Sequence, residues 1–65
     1  MDYTKLIKMA QRIVDKCEAN NSELHEMSNN IFVVDWETHT ICQDYIRQNN
    51  EIIETFKTLI EKWSK

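Results

Sequence analysis

Apolar residues return every seven positions along nearly all of this chain, and a repeat of that period admits little besides packed α-helices. One stripe runs Tyr3, Leu6/Ile7, Ala10, Ile13/Val14, Cys17, Leu24, Met27, Ile31. A second runs Ile41/Cys42, Tyr45/Ile46, Ile52/Ile53, Phe56, Leu59/Ile60, Trp63. They meet in Ile31-Phe32-Val33-Val34-Asp35-Trp36. With no Gly and no Pro in 65 residues, turns must rest on Asn, Asp and Ser, and long helices are favoured by default. The reading is a single all-α domain over residues 1–65.

The first helix is expected from an Asp2 N-cap to about Ala19. Asn20-Asn21-Ser22 then reads as a break, because Asn tolerates a helix-ending conformation and Asn20 with Glu23 also reads as a capping box for a new helix. Charge agrees: Arg12 and Lys16 suit a helix C-terminus, Glu23 and Glu26 an N-terminus. The repeat argues otherwise. Tyr3, Ala10, Cys17, Leu24 and Ile31 fall seven apart without a slip, and so do Leu6, Ile13, Asn20, Met27 and Val34.

Two architectures therefore stay open. One is an antiparallel helical hairpin whose first arm is kinked or broken near 20–22; the other is a small three-helix bundle with a short middle helix. Both end in a long C-terminal helix, the expected longest element, capped by Asp35 or Thr38. Glu37 and Asp44 lie toward its positive end and Lys57, Lys62 and Lys65 toward its negative end.

A hairpin folded about residue 33 pairs positions whose numbers total roughly 66, given antiparallel arms of equal rise. Tyr3 then meets Trp63, Leu6 meets Ile60, Ala10 meets Phe56, Ile13 meets Ile53 and Leu24 meets Cys42. Asn49 interrupts the second stripe opposite Cys17 and one turn from Asn20, either as a buried register-setting amide or as a solvated seam edge.

A chain this short builds a core that barely offsets its conformational entropy, so stabilisation from a second copy or a partner is expected. The net charge of −3 argues against strong nonspecific nucleic-acid binding and against a densely acidic nucleic-acid mimic. Two cysteines behind an N-terminus, Met1-Asp2-Tyr3-Thr4-Lys5, that lacks an apolar leader point to the cytoplasm. The longest apolar run, Ile31 to Val34, is far short of the ~20 residues that span a bilayer, so no membrane is expected.

Cys17, His25, His39 and Cys42 invite a zinc reading, and His39 and Cys42 would share one helical face. Neither pair has knuckle spacing, and small core cysteines with flanking histidines account for the same residues. No metal and no cofactor are expected. Glu37, His39 and Cys42 are the nearest approach to a catalytic set, but a hairpin of this size rarely encloses a pocket, and no phosphate loop or nucleophile elbow is present. The chain reads as a non-enzyme.

Two polar bands stand out. Lys5, Lys8, Arg12 and Lys16 occupy one narrow band of the first helix, opposite its apolar face and with no acid among them, as a phosphate-following stripe requires; most such stripes are simply solvated. Glu37, Asp44 and Glu51 recur on the outer side of the last helix. Two copies packed side by side would match the basic band to the acidic one.

At the bend, Phe32, Val33, Val34 and Trp36 put apolar residues where bends are normally polar, which marks either a binding site or a plug for the end of the bundle. They are the candidate partner-binding residues.

In size, pattern and the stripe Lys5, Lys8, Arg12, Lys16, the chain is similar to small plasmid-encoded hairpins that dimerise into four-helix bundles and bind paired RNA loops. That resemblance implies an RNA-binding dimer using those four residues. Hairpins exported by type VII secretion carry Trp-X-Gly at the bend; here it reads Trp36-Glu37-Thr38. The reading taken is a small self-associating interaction protein, a regulator of the inhibitor or adaptor kind, with a bacterial or phage style of composition. The RNA-binding dimer is the alternative.

Overall fold

The computed structural model describes residues 2–31 and 33–65. Two α-helices of 28 residues each, α1 (Thr4–Ile31) and α2 (Trp36–Trp63), pack along their whole length as an antiparallel hairpin. Its Cα atoms span 52 × 14 × 11 Å with a radius of gyration of 15.0 Å, against about 11 Å for a compact domain of this length. Among the described residues, no helix is long and apolar enough to cross a membrane.

The seam follows a strict alternation of four and three. In α1 it consists of Tyr3, Ile7, Ala10, Val14, Cys17, Asn21, Leu24, Ser28 and Ile31, and no other described residue of that arm escapes the exposed class. In α2 it is His39, Cys42, Ile46, Asn49, Ile53, Phe56, Ile60 and Trp63, flanked by the half-buried Thr38 and Leu59. Written as a heptad, Ile7, Val14, Asn21 and Ser28 occupy position a of α1 and His39, Ile46, Ile53 and Ile60 that of α2. Position d holds Ala10 and Cys17 in one arm, Cys42 and Phe56 in the other.

The Tyr3 and Trp63 rings stack 5.8 Å apart with planes inclined by 5°, which places the expected pairing at the open end. The companion row of α1 differs from expectation. Leu6, Ile13 and Met27 are exposed at 41, 39 and 54%, and the neighbouring Ile7, Val14 and Ser28 line the seam instead. Doublets at 6/7 and 13/14 leave the choice open in sequence. Four-three spacing from Tyr3 decides it.

α1 passes through Asn20, Asn21 and Ser22 without interruption, so there are two helices rather than three and the second is no longer than the first. These asparagines are used across the seam rather than along the chain. Asn49 Nδ2 donates to Asn20 Oδ1 at 2.7 Å and to Asn21 Oδ1 at 2.9 Å, and Asn21 Nδ2 donates to Asn50 Oδ1 at 2.9 Å. An amide satisfied this way has no reason to leave the helix and cap its end. The cost is electrostatic. Glu23 and Glu26 now lie toward the negative end of an unbroken α1, which has no acid in its first turn and no base in its last.

Among the described residues only Ala10, Val14, Cys42 and Ile46 are buried apolar residues, because a single helix pair closes over one line of side chains and leaves the rest partly open. Ala10, at 2% exposure, lies in one of the buried layers of the seam. Ala10→Leu should overpack that layer and lower stability by about 1–3 kcal/mol in urea unfolding, while Ala19→Leu on the exposed side should change it by less than about 0.5 kcal/mol.

Candidate partner-binding surface

The chain reverses between Ile31 and Trp36 using backbone groups and one side chain. The Ile31 carbonyl accepts from Val34 N at 3.0 Å and from Asp35 N at 2.8 Å. Asp35 then caps α2: its carboxylate accepts from the Thr38 amide at 3.0 Å and from the Thr38 hydroxyl at 2.6 Å, satisfying one of the amides that a helix N-terminus leaves open. Asp2 lies one residue ahead of the N-cap position of α1, which Tyr3 occupies, and its carboxylate accepts from the Thr4 hydroxyl and amide. Of the two sequence candidates for the α2 cap, Asp35 is the cap and Thr38 the residue it holds.

A polar cluster anchors the turn from below. Ser28 is completely buried; its Oγ lies 2.6 Å from His39 Nδ1 and accepts from Gln43 Nε2 at 2.9 Å. His39 ties the end of α1 to the start of α2. Its ring also carries Trp36, whose centroid lies 4.9 Å away at an inclination of 33°.

Above this anchor, Val33, Val34 and Trp36 are exposed at 79, 77 and 67%. They do not fold back over the end of the bundle. Phe32, named with them from sequence, lies outside the described residues. Val33 and Val34 on the turn and Trp36 at the first residue of α2 are thus three apolar side chains left facing solvent at this end of the hairpin.

The other candidates are dispersed. Cys17 is half-buried and Cys42 buried in the seam, both as free thiols; His25 is exposed on α1, and His39 is engaged by Ser28. Among the described residues, no three His, Cys, Asp or Glu side chains are placed to hold a metal ion. Of the catalytic set, Cys42 is buried while Glu37 faces solvent. A concavity of about 550 Å3 is an open groove on the outer side of α2 beside Glu51, Thr55 and Leu59, remote from those three residues.

Lys5, Lys8, Arg12 and Lys16 are all exposed. Among the described residues the sole ion pair is Arg47 to Asp44 at 3.4 Å, so no acid neutralises the basic stripe. Sequence reasoning missed Ser28 and Gln43 as parts of the turn, since a buried serine in an apolar stripe looks like an interruption until its partners are seen.

The Thr38 hydroxyl and amide both bond the ionised Asp35, and together they hold its carboxyl below the ordinary value of 3.8. A lowered folded-state pKa means that the cap's contribution is present above the unfolded value and is lost as pH falls through the folded one. The thermal midpoint, followed by circular dichroism, should therefore drop on acidification below about pH 4. Asp35→Asn, which caps without titrating, should show a smaller drop than the parent chain. Comparison with known protein families, with curated proteins and with solved structures finds no match for this chain.

Proposed function

We propose that this chain is a non-enzymatic cytoplasmic interaction protein, a regulator of the inhibitor or adaptor kind, that takes another protein at the turn end of its hairpin. Val33, Val34 and Trp36, with Phe32 beside them in sequence, form the contact. The observation that carries this reading is the exposure of those three residues on a turn whose geometry does not need their side chains. Keeping a Trp and two valines in water has no folding benefit. At an interface the same residues are strong anchors.

A second reading rests on the unneutralised stripe. Lys5, Lys8, Arg12 and Lys16 on one exposed side of a straight helix fit a phosphate backbone, and the nucleic acid would be RNA with a paired, regular backbone. It ranks second because lysine-rich helix faces are commonly only solvated.

Photo-crosslinking from a benzoylphenylalanine at position 33, in cells of the source, separates the two. Val34→Asp with Trp36→Ala should reduce capture of a protein partner by more than about tenfold, with helix content unchanged. Lys8→Glu with Arg12→Glu should leave capture intact. The reverse pattern, with RNA recovered in place of protein, supports the second reading, and indifference to both pairs removes both sites.

A further inference from the structure

Apart from Trp36, every large apolar side chain left exposed in the two helices lies on one long side of the hairpin. Leu6, Ile13 and Met27 of α1 and Tyr45 and Ile52 of α2 are 38 to 54% exposed. All five occupy position g of their heptads, and Met9 and Ile41 lie next to that row at position c. In an antiparallel pair the two g rows share a side, and the contacts across the seam show it: Asn20 at g meets Asn49 at d, whereas Asn21 at a meets Asn50 at e. The opposite side, at the e positions, carries Gln11, Glu18, His25, Gln43 and Lys57. Apolar residues at a, d and g together are the pattern of helices in a bundle of more than two.

The amount of surface fits one further layer. The chain exposes 5200 Å2, where a compact monomer of 65 residues exposes about 4400 Å2. That excess, and a face of roughly 700 Å2 given by the 52 × 14 Å Cα extents, both approach the ~800 Å2 that each partner buries in a standard interface.

Charge selects the occupant and its direction. Residues 18–48, the turn half, hold six acids and one cation, Arg47; the open half holds the other seven cations and five acids. One end of the rod is thus negative and the other positive. Within α1 the sequence opposes its own dipole, with Lys5, Lys8 and Arg12 toward the N-terminus and Glu23 and Glu26 toward the C-terminus. An identical chain laid on the g face with its turn at the opposite end corrects both. It sets the Lys5 and Arg12 end of one α1 beside the Glu23 and Glu26 end of the other.

Two copies aligned turn to turn would instead bring acids to acids. In that alignment the two bands noted in sequence are also out of step over most of their length, because Glu37 and Asp44 lie at the turn end, level with Glu23 and Glu26, and only Glu51 lies in the open half. The basic stripe lies at the other end.

We propose that the g face takes a second copy of this chain, related by a twofold axis across the helices, to form a four-helix bundle with the two turns at opposite ends. Such an isologous contact uses the same patch twice. Both turn-end patches remain outside it, so the dimer is independent of the protein-capture reading.

Sedimentation equilibrium of the full chain should show a dimer, and a folded monomer at micromolar concentration overturns the proposal and leaves the face to a different protein. Ile13→Glu with Ile52→Glu should raise the dissociation constant by at least ~100-fold, while Gln11→Glu with His25→Glu, on the other side, should not. A dimer that survives the first pair does not use this face. Orientation is read by spin labels on Asn29→Cys in a Cys17→Ala, Cys42→Ala background with the g face intact. Opposed turns place the labels roughly 40 Å apart at 1.5 Å per residue; a separation under about 20 Å means adjacent turns and overturns the orientation. The label distance stands even if the Glu variant does not fold.

Discussion

Everything in this hairpin depends on a single line of contact. Two helices alone cannot enclose a core. They share one seam, and each residue on it is covered by side chains of the opposite arm only. The alternation of four and three therefore has to hold without a slip over four heptads, because a displaced residue has no second layer to retreat into. Where apolar residues run out, at Asn21, Asn49 and Ser28, polar groups keep the spacing and bond one another across the seam. No buried side-chain polar atom among the described residues lacks a partner. Such contacts add little net stability over an apolar pair, but a register shift would leave them unpaired in a low-dielectric seam, so they penalise misalignment more than they reward folding.

The helical class, the antiparallel hairpin as one of two architectures and Asp35 as one of two caps were legible in the sequence because each rests on local chemistry or on a period. The pairing of Tyr3 with Trp63 follows from chain reversal near residue 33 and nothing more. Two features were not legible. At 13/14 and 27/28 the more hydrophobic choice conflicts with the one four-three spacing requires, at 6/7 Leu and Ile are nearly equal, and Met27 outranks Ser28 on any transfer scale. Asn20-Asn21-Ser22 carries every local signal of a helix end, yet partners 28 and 29 residues away claim its amides. Local propensity cannot register a bond that distant.

Of the candidate site, composition at the bend indicated the right residues but could not say whether they faced water. The exposure of Val33, Val34 and Trp36 follows from the shape of the reversal: the chain turns tightly over Ile31 and enters α2 at once, leaving no length for these side chains to reach back over the seam. The polar anchor beneath was hidden because Ser28, His39 and Gln43 lie in two elements and are joined only by packing. Misplaced charge in α1 was visible from the start as an argument for a break. In an unbroken helix the same charges become a property of the outer surface.

The reversal itself has a consequence for how such a chain can change. It is made by the Ile31 carbonyl, two backbone amides and the Asp35 carboxylate, and among the described residues no backbone angle falls in the region that favours glycine. Apart from the Val34 amide, which excludes proline there, nothing in that arrangement specifies what side chain stands at positions 33 and 34. Substitution there is uncoupled from folding, so surface chemistry at the tip can drift or be selected while the seam stays fixed. In that sense the hairpin is a handle of constant shape with an exchangeable tip.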